Sequence, residues 1–253
     1  MKFSLCIEPV FEKAPFCDRI QMAKDCGVDA IEMWDATDKD AKKIGETAAR
    51  LDMPIAAMAI AKSWTYRMNG PYASVLTSVE ESIRMGKDVG CSTFIGLSGE
   101  LECKADSQKC ILIDNLKRLA GLCVKHEVTI VIEALNSLYD HKGYYLDSSC
   151  VAFEIVKCVN DPHIKVLFDC YHMQLMEGNL VNSIRTNIDF IGHFHSAGVP
   201  GRHELHLGEI NYPFVVKAAE DVGYDRYFGL EYWPSYDDEK SVRDVLAYMR
   251  GKR

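Results

Sequence analysis

The chain has no run of about 18 uncharged apolar residues, so no segment is expected to cross a bilayer as a helix. Positive charge is in deficit: Lys and Arg number 29 against 37 Asp and Glu, a formal net charge of -8. That sign opposes a surface that gathers phosphates, so neither nucleic acid nor an anionic membrane is an expected partner. No C-x-x-C pair occurs among the ten cysteines, which removes the usual thiolate zinc motif. They are scattered, mostly in apolar runs, and are expected to be reduced core residues of a cytoplasmic protein. Neither G-x-G-x-x-G nor G-x-x-x-x-G-K-[ST] is present, and with them goes the usual sign of an open nucleotide-binding sheet. Linkers rich in Pro, Gly or Ser are missing too. The start, MKFSLCIEPVF, places Glu8 inside its apolar run and has no small-residue cleavage site, which argues against a secretory signal.

What is present is a steady alternation. Short apolar runs at 3–7, 29–33, 54–60, 92–97, 128–133, 163–169, 190–195 and 227–231 read as strands. Between and after them, 15–26, 38–51, 72–89, 106–126, 148–159, 178–187, 212–222 and 241–250 read as helices, the second with Asp38 as its cap. Eight such βα units in 253 residues, 48% of them hydrophobic, fit one α/β domain over 1–253: a (β/α)8 TIM barrel.

In a barrel the chemistry gathers at the C-terminal ends of the strands. Four consecutive strands end on a polar residue: VTIVIE on Glu133, KVLFD on Asp169, IGHFH on His195 and FGLE on Glu231. Any one of these could cap the following helix or sit in an ion pair. Four in succession, on strands about 5 Å apart, converge on one point above the barrel mouth. Three carboxylates facing one another repel and need a cation. Oxygen donors with one imidazole suit a divalent metal ion, Mn²⁺ or Mg²⁺ first, with Co²⁺ or Zn²⁺ also accommodated. Around the same mouth lie His172, three residues past Asp169, and Arg202 and His203 in a Gly- and Pro-containing loop. Trp34 and Trp64 follow the second and third strands and are candidate pocket walls.

The segments VIEALN, LFDCYHMQLMEGNL, GHFHSAGVPGRHELHLGEINYPF and GLEYWP resemble the hydroxypyruvate isomerase family of the xylose isomerase-like barrel superfamily. The resemblance spans all the βα units, and its specific motifs lie in the second half. It implies one divalent metal held by Glu133, Asp169, His195 and Glu231, with the two glutamates as acid and base. From the related ketose 3-epimerases it implies that His172 and Arg202 hold substrate oxygens. The chain carries His195 where many hydroxypyruvate isomerases have glutamine, as the 3-epimerases do, and reads EYWP where they commonly read EYKP.

The chemistry expected of such a site is isomerisation of a small hydroxycarbonyl compound. The cation polarises the carbonyl and stabilises the enediolate left when a glutamate removes the neighbouring C–H proton. Aldose/ketose isomerisation and C3 epimerisation both remain open, as does a sugar dehydratase. From another class, a non-catalytic sugar-binding module is the alternative, although both acid/base glutamates are present. The expected partner is a small hydroxycarbonyl or sugar substrate, and a homo-oligomer is compatible with the sequence.

Overall fold

In a computed structural model of the chain, which describes residues 1–251, short β-rich runs are recovered as strands within a residue or so of their expected limits. They are β1 (Lys2–Cys6), β2 (Ala30–Met33), β3 (Ile55–Ala59), β4 (Thr93–Leu97), β5 (Thr129–Glu133), β6 (Ile164–Asp169), β7 (Ile191–His195) and β8 (Tyr227–Leu230). Each pairs in parallel with the next and β8 closes on β1, making an eight-stranded barrel. The last two residues of the expected 1–253 span, Lys252 and Arg253, lie outside the described residues.

The helices are α1 (Phe16–Cys26), α2 (Ala41–Arg50), α3 (Tyr72–Val89), α4 (Ala105–His126), α5 (Ser149–Val159), α6 (Cys170–Met176), α7 (Leu180–Asn187), α8 (Tyr212–Asp221) and α9 (Asp238–Met249). The main apolar core joins residues from these helices and the strands. Three details correct the sequence reading. Helix α2 is capped by Asp40, whose carboxylate accepts from Lys43 N at 3.0 Å, and not by Asp38. Helix α6 was not expected: its seven residues are too few to show a helical period, and it starts directly from Asp169. Helix α9 begins at Asp238, three residues early, because Asp237 accepts from Lys240 N.

The cysteines also depart from expectation. Cys6, Cys26, Cys91, Cys123 and Cys170 are buried, but Cys103, Cys110, Cys150 and Cys158 are exposed on or beside α4 and α5, and Cys17 is intermediate. All ten are free thiols. Among the described residues no helix is long and apolar enough to cross a membrane.

The barrel interior is divided. Alternate residues of a strand share a face, so the layer two residues below the mouth of the barrel, where Trp34 and Glu231 follow β2 and β8, is built from one residue per strand. On β3 to β6 it is apolar, with Ala57, Ile95, Val131 and Leu167 forming a small core of their own. On β1, β2 and β7 it is polar: Ser4, Glu32 and His193, all buried. Gly229 of β8 completes the layer. A Cβ there would lie 2.5 Å from Glu32 Oε1, 2.7 Å from Phe194 O and 2.8 Å from His195 Cδ2, so only glycine leaves room for the polar half.

Candidate active site

Glu133, Asp169 and His195 end β5, β6 and β7, and Glu231 is the first residue past β8. All four are buried. One potential ligand atom from each lies within 4.8 Å of the others. His195 Nδ1 is 3.4 Å from Glu133 Oε1 and 3.5 Å from Glu231 Oε2. The four residues singled out by their strand-end positions are therefore brought to one point.

Asp169 plays both of the parts that sequence allowed it. Its Oδ1 caps α6, accepting from Tyr171 N at 2.7 Å and His172 N at 3.3 Å. Its Oδ2 faces the cluster, 3.9 Å from Arg202 Nη2 and 3.5 Å from His172 Nε2. Arg202 itself pairs with Glu231 Oε2 and lies over the rings of Tyr171 and Trp233. Trp34 Nε1 donates to the other Glu231 oxygen at 2.7 Å.

The buried charges act on one another. Burial pushes the Asp169 carboxyl up to about 7; Arg202 opposes this and the negative charge of Glu133 adds to it. Burial would also raise Glu231, but the positive charges of His195 and Arg202 hold it well below the usual carboxylate range. For His195 burial acts downward and is outweighed by the Glu231 and Glu32 carboxylates, which raise it well above an ordinary histidine. His172 moves the other way: burial, with Arg202 and His141 beside it, keeps its ring neutral.

Among the buried polar atoms of this region that lack a hydrogen-bond partner are Glu133 Oε1, His195 Nδ1, His172 Nε2 and Arg202 Nε. Buried polar atoms are nearly always paired, so their shared lack of a partner points to a ligand. His172 is fully buried, accepts at Nδ1 from Asn136 N at 3.2 Å, and packs edge-on against His141. It is His141, passed over in the sequence, that lines the cavity.

That cavity has a volume of about 130 Å³ and is bounded by Glu133, His195, Glu231, Arg202, Trp34 and Trp64, among others. Trp34 packs against Trp233, with ring centroids 6.1 Å apart. Trp64 is half-exposed; it stacks on His141 at 6.1 Å with Arg67 on it at 5.0 Å. Ser63 also lines the cavity, and its buried hydroxyl has no partner. His203, next to Arg202, instead donates from Nδ1 to Trp233 O at 2.9 Å and so ties its loop down.

Two further residues were not found from sequence. Glu32 and His193 lie directly below His195, with Glu32 Oε1 2.9 Å from His193 Nε2 and Oε2 2.8 Å from His195 Nε2. The signal was there: the i, i+2 spacing of the histidines in GHFH puts both on one strand face, and Glu32 is a lone acid inside an apolar strand.

Comparison with known proteins gives a consistent picture. The family described as xylose isomerase-like TIM barrel matches residues 20–252. A 2-oxo-tetronate isomerase of Cupriavidus necator is 28% identical over 257 residues, covering 98% of each chain. The hydroxypyruvate isomerase of Escherichia coli is 27% identical over 257 residues, covering 98% of this chain and 99% of its own. Among solved structures, a Brucella melitensis protein named AP endonuclease, family 2, has a TM-score of 0.91 at 26% identity, covering 98% of each chain. The D-psicose 3-epimerase of Clostridium cellulolyticum H10, solved with D-tagatose, has a TM-score of 0.82 at 15% identity over 99% of each chain, a likeness of fold.

Proposed function

The chain belongs to the xylose isomerase-like TIM barrel family, and on that premise we propose that it is a metal-dependent isomerase of small hydroxycarbonyl acids, of the hydroxypyruvate or 2-oxo-tetronate kind. The observation that carries this reading is the convergence of Glu133, Asp169, His195 and Glu231 on one buried point, with Glu133 Oε1 and His195 Nδ1 unpartnered there. Its relatives named isomerases match the chain from end to end, and the net charge of -8 favours a small substrate over the nucleic acid that the name of the Brucella protein evokes.

The donor set fits a divalent cation: three carboxylates and one imidazole suit Mn²⁺ best, with Mg²⁺, Co²⁺ and Zn²⁺ accommodated. When bound, the cation supplies Lewis-acid polarisation of a carbonyl oxygen. The rest is done by side chains. Glu133 and Glu231 come from strands separated by β6 and β7 and line the same cavity. They take a proton from one carbon of the substrate and return it to its neighbour. Arg202, whose guanidinium already faces two carboxylates, holds a substrate oxygen. His172 does the same through Nε2, its free nitrogen. Trp34 and Trp64 wall the cavity, Trp34 beside Glu231 and Trp64 over His141.

A small 2-keto-hydroxy acid panel and a ketose panel, each assayed with added Mn²⁺, test the proposal. Conversion of a hydroxy keto acid supports it. C3 inversion of a ketose favours the second reading, a 3-epimerase, for which His195 is the specific observation. No turnover on either panel by a metal-loaded protein would leave a binding module.

Two expected results follow directly. The purified protein is expected to hold about one divalent metal per chain, because among the described residues a single four-residue cluster has inward-facing atoms without partners. At 100 times its dissociation constant a metal stabilises the fold by about 2.7 kcal/mol, which raises the melting temperature by roughly 5–11 °C at this chain length. Metal analysis and a melt with and without Mn²⁺ check this; no metal and no shift reject the site. In the second, His195→Gln weakens Mn²⁺ and Co²⁺ binding more than Mg²⁺ binding, since it replaces the one nitrogen donor with oxygen, yet retains measurable turnover. An unchanged preference among the three metals contradicts it.

A further inference from the structure

The polar half of the layer below the site is placed under one residue. Both Glu32 oxygens are engaged: Oε1 by Ser4 Oγ and by His193 Nε2 at 2.9 Å, and Oε2 by His195 Nε2 at 2.8 Å. The Glu32, His193 and His195 trio has the composition of a second metal site. However, its nitrogens and oxygens already satisfy one another, and no atom of Glu32 is left unpartnered. The unpartnered nitrogen of His195 is the other one, Nδ1, which faces Glu133 and Glu231.

A buried carboxylate is expensive unless its hydrogen bonds are complete. Packing alone does not call for one here. On the far side of the same layer, Ala57, Ile95, Val131 and Leu167 fill the barrel with apolar atoms only. The charge is found beneath the one nitrogen donor of the cluster, carried by β7, which β8 and β1 separate from β2, and Gly229 of β8 omits a side chain to admit it.

We infer that Glu32 is a positioning residue: by accepting the Nε2 proton of His195 it fixes the tautomer and tilt of the ring, so that the Nδ1 lone pair is presented to the cation. Ser4 and His193 hold the carboxylate in place for that task. Imidazole ligands commonly donate their second N–H to a carboxylate, and loss of that partner typically lowers metal affinity 10–100-fold. This inference rests on the metal-site reading above.

The test is titration of the full-length metal-free protein with Co²⁺ alone, followed by its visible absorption, for wild type, Glu32→Gln and His193→Gln. In Glu32→Gln an amide N–H can replace the carboxylate oxygen that faces His195 Nε2. The Co²⁺ dissociation constant is expected to rise roughly 10- to 100-fold, with a changed absorption spectrum, while the circular dichroism stays that of a folded barrel. His193→Gln leaves the Glu32–His195 bond intact and is expected to lose less. A folded Glu32→Gln that binds Co²⁺ as wild type does, with the same spectrum, overturns the positioning role and leaves the metal site standing. A wild-type protein that takes up no Co²⁺ overturns both. Should Glu32→Gln fail to fold, ¹⁵N NMR of histidine-labelled wild type loaded with Zn²⁺ decides: a proton on Nε2 of His195 supports the inference, and a proton on Nδ1 overturns it.

Discussion

Turnover in Glu133→Gln and in Glu231→Gln is expected to fall by roughly 10²- to 10⁴-fold, the range typical of a lost acid/base group. Alanine at either position would confuse two effects, since both glutamates belong to the cluster that could hold a metal ion. Glutamine keeps a carbonyl oxygen for a cation while being unable to take a proton. Metal and substrate binding should therefore persist in part while the chemical step fails. In D₂O the wild-type product should carry deuterium at the carbon that receives the proton, because a carboxylic acid exchanges its proton with solvent. Near-normal turnover in both variants would remove the glutamates from the mechanism. Product without deuterium would point instead to a hydride shift or to a proton shielded from solvent throughout.

Gly229→Ala should cause the largest change in stability for the smallest change in sequence. Its new methyl group would meet Glu32 Oε1, the Phe194 carbonyl and the His195 ring, all at 2.5–2.8 Å. The carbonyl belongs to the sheet and cannot yield, so the pressure falls on Glu32 and His195. Overpacking of this kind costs about 1–3 kcal/mol, or roughly 2–12 °C in melting temperature for a chain of this size. Metal affinity should fall with it. Gly90→Ala is a useful control, because a Cβ there meets nothing within 4 Å and its penalty comes only from a φ of +76°. A Gly229→Ala protein that melts with wild type and binds metal normally would show that the polar layer has slack the distances deny.

The sequence was most readable where burial and polarity conflict. Glu133, Asp169, His195 and Glu231 each end an otherwise apolar run, and a charge at the end of a buried strand calls for an explanation. Glu32 and His193 are as deeply buried, yet they lie within their strands. Their partners come from residues far away in the chain, 161 positions apart for the Glu32–His193 bond, and no local pattern records that pairing. His141 was hidden for another reason: it sits in an irregular loop after β5, where no periodicity assigns a direction to a side chain. The barrel itself was legible because each βα unit repeats the same contrast of short and long periods. Errors at its edges, such as Asp38 for Asp40, arose where several acids compete for one cap.

The four-residue cluster proposed to hold the metal comes from β5 to β8 and the loops that follow them, as do Leu135, His141, Arg202 and Trp233 of the cavity wall, whereas Trp34, Ala59, Ser63, Trp64 and Leu97 come from β2 to β4 or the loops that follow them. On the proposed reading, every residue that moves the proton is thus inherited on the second half of the gene, while the first half contributes part of the wall and the support beneath His195. Change at the first-half wall positions can then reshape the cavity without replacing the residues proposed to move the proton, so a duplicated copy can explore new substrates while keeping them.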